Sequence, residues 1–257
     1  MVFPQEALLL LLVVLIVAVL TILHHGRALA AGRPANRRPL PALQVMQQAL
    51  GRGAETGRAI HISPGSGGVG GRIGATETVA GLLAAERVAT EAALSGAPVL
   101  ASSGDAVTHL AMIGALRQAH HRAGIGQDFD PELVQLLSQQ DPMAYASGVT
   151  TLYSRQMLEA SQLIGSFGQE FILAGEFGAT RGVPQVAGAT ATVAQPLVYL
   201  AADGALIGEE VYAAEAYLTS EPAPQARLFT QDTLRTVVIV SILLLMVLSA
   251  AGVQFAF

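Results

Sequence analysis

Residues 58–94 read RAIHISPGSGGVGGRIGATETVAGLLAAERVATEAAL. A short run rich in β-branched residues, AIHIS, enters a loop with five glycines among residues 65–71, and a long apolar-periodic segment follows. Extended run, glycine turn and helix in that order form the opening unit of a parallel sheet. The helix is expected over 75–94, closed by Gly96.

The alternation continues downstream. APVLASSGD reads as a second buried strand, with Asp105 at the N-cap position of the helix that follows. In FDPELVQLLSQQ, Asp130, Pro131 and Glu132 carry the marks of a helix start, and Asp141 with Pro142 repeats them in DPMAYASGVTTLYSRQML. SQLIGSFG gives a third strand before QEFILAGEFGATRG, and PQVAGATAT a fourth before VAQPLVYLAAD. GALIGEEVYAAEAYLTSEP supplies a last strand and helix. The class expected is α/β, a parallel-sheet, Rossmann-like domain over 58–230.

Composition adds a membrane. Of the 257 residues 52% are hydrophobic, high for a soluble enzyme of this length. Two uncharged apolar runs, 7–23 and 237–253, account for it. They predict single transmembrane helices over 5–25 and 234–255 flanking the domain. A signal peptide is the rival for the first run, since RALAAG after it has the small residues of a cleavage site. No Lys or Arg precedes that run, which favours a retained anchor. The segment 26–57 reads as an Arg- and Pro-rich tether, with LQVMQQALGRG a short helix closed by Gly51 or Gly53. Arg27, Arg33, Arg37, Arg38 and Arg52 follow the first run and no acid lies between residues 7 and 54. The positive-inside rule then puts the domain in the cytoplasm and both termini outside.

All 14 basic residues are arginine, and Cys and Trp are absent. Thiolate chemistry, cysteine-ligated metal clusters and disulfides are excluded. The net charge is −5 and the arginines beyond the tether are scattered, so nucleic acid is not an expected partner. Membrane lipid, a second copy of the chain or other membrane subunits are.

The strings RAIHISPGSGGVGG, LIGSFGQEFILAGEFG and QVAGATATVAQPLVYLAADGALIGEEVYAAEAYLTSEP, with a closing apolar helix, resemble an uncharacterised family of bacterial and archaeal membrane proteins, a domain of unknown function. The resemblance spans about residues 58–221. It implies no activity, and no functional residue is carried over from it.

Candidate sites come from the residues themselves. GSGGVGG lacks the Lys-Ser/Thr ending of a nucleotide-hydrolysing loop but holds a dinucleotide-type spacing at Gly65, Gly67 and Gly70. Its amides can cradle an anion, or its glycines can serve positive φ and close backbone approach alone. The loops after the predicted strands are all small or hydroxylic, and in a parallel sheet they share one edge. A polar crevice there would be lined by Gly65, Ser66, Gly67, Gly68, Gly70, Gly71, Ser102, Asp105, Ser166 and Thr190. The same residues also suit ordinary strand-to-helix turns. Glu170 and Glu176 flank FILAG and are expected to face solvent. Neighbouring histidines, 24 with 25 and 120 with 121, cannot share one metal from one helix face, and His61 and His109 stand alone. No metal site and no catalytic residue are proposed, and the cofactor is left open.

Two functions remain. One is a non-catalytic, oligomeric membrane scaffold or accessory subunit, suggested by the Ala-rich helices AGLLAAERVATEAALSGA and AAEAYL and by small residues Ser249, Ala250, Ala251 and Gly252, which permit close helix packing. The other is a membrane-tethered enzyme or sensor binding a phosphorylated or nucleotide-like ligand at the glycine-rich edge. The orientation is checked with cysteines introduced at positions 2 and 52 of the full chain in intact cells. An impermeant thiol reagent should label the first and spare the second; the reverse pattern would invert the topology.

Overall fold

A computed structural model describes residues 5–31, 38–70 and 74–250. They form two compact units, Arg38–Leu218 and the pair of terminal helices.

The larger unit is built on six parallel strands, β1 (Ala59–Gly65), β2 (Val99–Ser103), β3 (Val134–Leu136), β4 (Leu158–Ser166), β5 (Gln185–Ala189) and β6 (Gly204–Ile207). Their order in the sheet is β3-β2-β1-β4-β5-β6. The α/β, parallel-sheet expectation therefore holds. Strand periodicity divides the core. Ile60 and Ile62 of β1 and Ala160 and Ile164 of β4 pack on one face with Met46, Val88, Met112 and Val211. These four belong to α2 (Pro41–Thr56), α3 (Ala75–Ser95), α4 (Ala106–Arg122) and α8 (Glu210–Leu218). The other face meets Tyr145, Phe171 and Val198, from α5 (Pro142–Arg155), α6 (Phe171–Thr180) and α7 (Gln195–Ala201).

Several local expectations are met by geometry. Asp105 accepts from the amides of Val107 and Thr108 at 3.0 and 3.1 Å and starts α4. Asp141 accepts from Ala144 at 3.0 Å and starts α5. Gly96 closes α3 in the left-handed region, φ 79°.

The start signal at Asp130 is used differently. Its carboxylate caps a single 3-10 turn, Pro131–Leu133, and the chain then runs straight into β3 rather than into a helix. Val134 and Leu136 pair there with Ala101 and Ser103, and the sheet takes up the amides a helix would have used.

The segment expected as a tether is also corrected. From Pro41 to Thr56 it is helix, closed not at Gly51 or Gly53 but at Gly57, whose N–H returns to the Gly53 carbonyl. This helix lies across the sheet, Ala42 against Gly204 of β6 and Gly53 against Ile60 of β1. Burial of Leu43 and Met46 contributes roughly 1.5–3 kcal/mol each. The Arg52–Glu159 pair at 2.6 Å ties it to β4. Between α3 and α8 stands a second pair, Arg87 and Glu215 at 3.2 Å, with both side chains nearly buried.

The smaller unit joins α1 (Gln5–Ala31) and α9 (Pro222–Ala250). A polar seam links them, Thr21 with Thr230 at 3.2 Å and His24 with Thr233 at 3.1 Å. Within α1, Leu10–Arg27 is long and apolar enough to cross a membrane, a property shared by anchors and signal sequences. Among the described residues one stretch meets this test, not the expected two. The second expected span, 234–255, runs beyond residue 250, and of the small-residue patch Ala251 and Gly252 lie outside the described residues. The part of α9 that is described exposes Val237, Val238, Ile239, Val240, Ile242 and Leu243.

Packing of α3 on the sheet hinges on Gly81. A Cβ there would strike the Ile164 carbonyl and sit 3.0 Å from Pro64 Cα. Gly114 in α4 has nothing within 4 Å. Gly81→Ala should therefore destabilise the chain by about 1–3 kcal/mol through overpacking. Gly114→Ala should stabilise it by about 0.5–1 kcal/mol through helix propensity. Urea unfolding of the full chain in detergent checks both signs.

Candidate functional site

Strand order reverses between β1 and β4, and at such a switch point open α/β sheets place their ligands. The two strands end almost in contact. Gly65, at φ 98°, turns the chain where a Cβ would collide with the Ser166 carbonyl. The Ser66 N–H then donates to that carbonyl at 3.2 Å, and the Ser66 hydroxyl donates to Glu170 Oε1 at 2.8 Å.

The glycines that follow face protein, not open space. A Cβ on Gly67 would lie 2.6 Å from Ser166 Cβ and Oγ and 2.9 Å from Thr78 Oγ1; one on Gly68 would lie 2.9 Å from Asp105 Cγ. Only at Gly70, among the described glycines of this loop, is that direction empty. Gly71 lies outside the described residues. In a dinucleotide fold the second glycine lets backbone approach pyrophosphate. Here Gly67 lets it approach Ser166.

Gly65, Ser66, Gly67, Gly68, Asp105 and Ser166 thus form one cluster. Thr190 sits beside it at the end of β5, donating to Glu77 Oε1 at 2.6 Å. Ser102 is not at the crevice. It is inside β2, fully buried, with its hydroxyl 2.8 Å from His61 Nε2.

Two carboxylates at this edge differ from the sequence reading, one expected elsewhere and one not singled out. Glu170 was expected in solvent yet is buried, accepting from Ser66 and from the Gly168 N–H at 2.9 Å; Glu176 of α6 is exposed. Glu77 stands in the first turn of α3, where acidic residues favour the helix dipole, and that is the signal that would have found it.

Charge at the rim is fixed by these bonds. Partial burial works to raise the Glu77 carboxyl, but hydrogen bonds from Thr190, its own backbone amide and Thr76 outweigh it and hold it below its usual value. Asp105 is lowered likewise, its burial overcome by the Thr108 amide, Gln140 and the Val107 amide. Both stay ionised at neutral pH and act as acceptors. A separate shallow groove of about 640 Å3 runs along β6 between Arg38, Pro41, Tyr199, Asp203 and Glu210, unmarked by any motif.

These features define a doubly wound parallel α/β protein in which Gly65, Gly67 and Gly68 at the switch point pack against Ser166 and Asp105. The chain belongs to a family described as Domain of unknown function (DUF6754), matched over residues 1–257. No curated protein and no solved structure matches it.

The closure has a measurable consequence. Gly68→Ala pushes the Asp105 carboxylate off its N-cap and should cost about 1–2 kcal/mol. Gly70→Ala should change stability by less than about 0.5 kcal/mol. Thermal melts of the two variants compare them; equal losses would mean the loop is not packed on Asp105.

Proposed function

We propose that this protein is a membrane-anchored, non-catalytic scaffold or accessory subunit whose α/β domain works as a rigid platform. One observation carries the reading. The polar groups of the switch point, Ser66 with Glu170, Thr190 with Glu77 and Asp105 with the start of α4, spend their hydrogen bonds on one another. The carboxylates of Glu77 and Asp105, held below their usual values as ionised acceptors, are poor general acids. The apolar stretch Leu10–Arg27 supports the anchor. The Ala-rich helices, by contrast, lend no support to contacts between copies, because Ala84, Ala85, Ala89 and Ala92 of α3 and Ala213, Ala214 and Ala216 of α8 are buried within the domain.

The second reading, a phosphorylated or nucleotide-like ligand at the glycine-rich edge, is favoured by the strand order and by the open side of Gly70. One experiment separates the two. The full chain in mild detergent is weighed by light scattering and titrated calorimetrically with ATP and with inorganic phosphate. Scaffold function predicts a mass above one chain and no saturable heat. A monomer that binds ATP, with affinity lost at least tenfold in Gly70→Ala, would replace it with the ligand reading.

A further inference from the structure

Between the sheet and α5 lies a layer of six polar side chains, His61, Ser63, Ser102, Ser161, Tyr145 and Tyr153, all buried. They are joined end to end. Tyr153 donates to Ser161 Oγ at 2.6 Å, and Ser161 Oγ is 2.8 Å from His61 Nδ1. His61 Nε2 is 2.8 Å from Ser102 Oγ. Tyr145 hydrogen-bonds Ser63, at 2.6 Å, and also Ser102. Ser63 donates to the Ser102 carbonyl at 2.8 Å.

Counting hydrogens gives the chain a direction. The Ser63 hydrogen is spent on a carbonyl, so Ser63 Oγ accepts from Tyr145. Tyr145 has then used its own hydrogen and accepts from Ser102. Ser102, in turn, accepts from His61, which must carry its proton on Nε2. The bare Nδ1 accepts from Ser161, and Ser161 accepts from Tyr153, which agrees with the orientation at that end. Each hydroxyl donates once, and the run stops at a backbone carbonyl.

We propose that this one-way chain is a latch fastening α5 to β1, β2 and β4, and that it closes only around a neutral His61, so that acid releases α5 ahead of the opposite face of the sheet. An imidazolium would turn Nδ1 into a donor. Ser161 would then face two donors, His61 and Tyr153, and its own hydrogen would lose its acceptor. A buried hydroxyl without a partner and a buried charge would be created together, and each is costly.

The surroundings offer the charge no relief. From α5, His61 meets Tyr153, whose ring stands edge-on at 5.7 Å, and Tyr145 is two bonds away. Burial pushes both phenols up, Tyr145 to about 12, so they stay neutral. From β4 the nearest acid in sequence, Glu159, is engaged by Arg52 and Thr56. Burial holds His61 down to about 3 against its ordinary 6.5. Between those values the unfolded chain takes up a proton that the latched form refuses. The latch is therefore at full strength above pH 6.5 and weakens as pH falls towards 3, the opening constant rising by up to about tenfold per unit.

Hydrogen exchange of the full chain in detergent, followed by mass spectrometry at pH 7, 5.5 and 4 and corrected for intrinsic rates, tests this. Protection of residues 142–155 should fall by about tenfold or more from pH 7 to 4, while residues 75–95 of α3 hold. In His61→Gln, whose amide NH2 can donate and whose carbonyl oxygen can accept without a titrating charge, the loss should disappear. Equal loss in both segments, or the same pH response in the variant, would overturn the proposal. Should the variant not fold, the wild type still decides: 15N spectra of labelled histidine at pH 7 must show a protonated Nε2 and a bare Nδ1 at His61, and the opposite tautomer would refute the chain.

Discussion

The backbone-to-backbone approach of β1 and β4 at their C-terminal ends is the constraint on which the rest depends. Gly65 faces the Ser166 carbonyl, Gly165 faces Pro64, and from above Gly81 of α3 faces the Ile164 carbonyl. Three missing side chains let two strands and a helix meet at one point. The strands are long partners, registered from Ala59 with Leu158 to Gly65 with Ser166, with shifts near both ends. Any Cβ at these positions would prise the ladder apart where strand order reverses. The loops beyond would then no longer fall against each other, and the bonds from Ser66 to Ser166 and to Glu170 would have nothing to close on.

The two faces of the sheet are stabilised by different means. One is paved with alanines of α3 and the aliphatic residues of β1 and β4, an arrangement that loses little side-chain entropy on folding and brings helix close to strand. The other carries aromatic bulk, Tyr145, Tyr153, Phe167 and Phe171, and through it the polar layer. A hydrophobic face tolerates exchange of similar volumes. A polar layer does not, because each lost partner leaves a desolvated group behind. Variation should therefore be accommodated beneath α3 more readily than beneath α5.

Much of this was legible. The alternation of extended and helical segments, the caps at Asp105 and Asp141 and the closure at Gly96 all act within a few residues, and local chemistry decides them. Strand β3 was not, because three residues are too few to show alternation and the signal at Asp130 suits a single turn as well as a helix. Nor was the burial of residues 41–56, whose apolar face only gains meaning once a sheet lies under it. At the glycine loop, composition reports that Cβ atoms are absent but not what fills their places. The His61 layer left a trace that went unread: His61 and Ser63 of β1, Ser102 of β2 and Ser161 of β4 each stand at a buried strand position, where a polar residue must find a partner.

The strand order also governs time. His61 and Ser161 are 100 residues apart, Ser66 and Glu170 104, Glu77 and Thr190 113. Contacts so distant along the chain must pay for loop closure before they return anything, which makes such a topology slow to form. At the usual pace of synthesis, about 5–20 residues per second, β1 waits on the order of 5–20 s for β4 to be made. Through that interval the edge of the central strand that β4 will cover is open, and His61 lacks Ser161, one of its two hydrogen-bond partners. The His61–Ser161 link of the layer can close once β4 is made, and the Glu77–Thr190 bond of the rim only after β5 has followed.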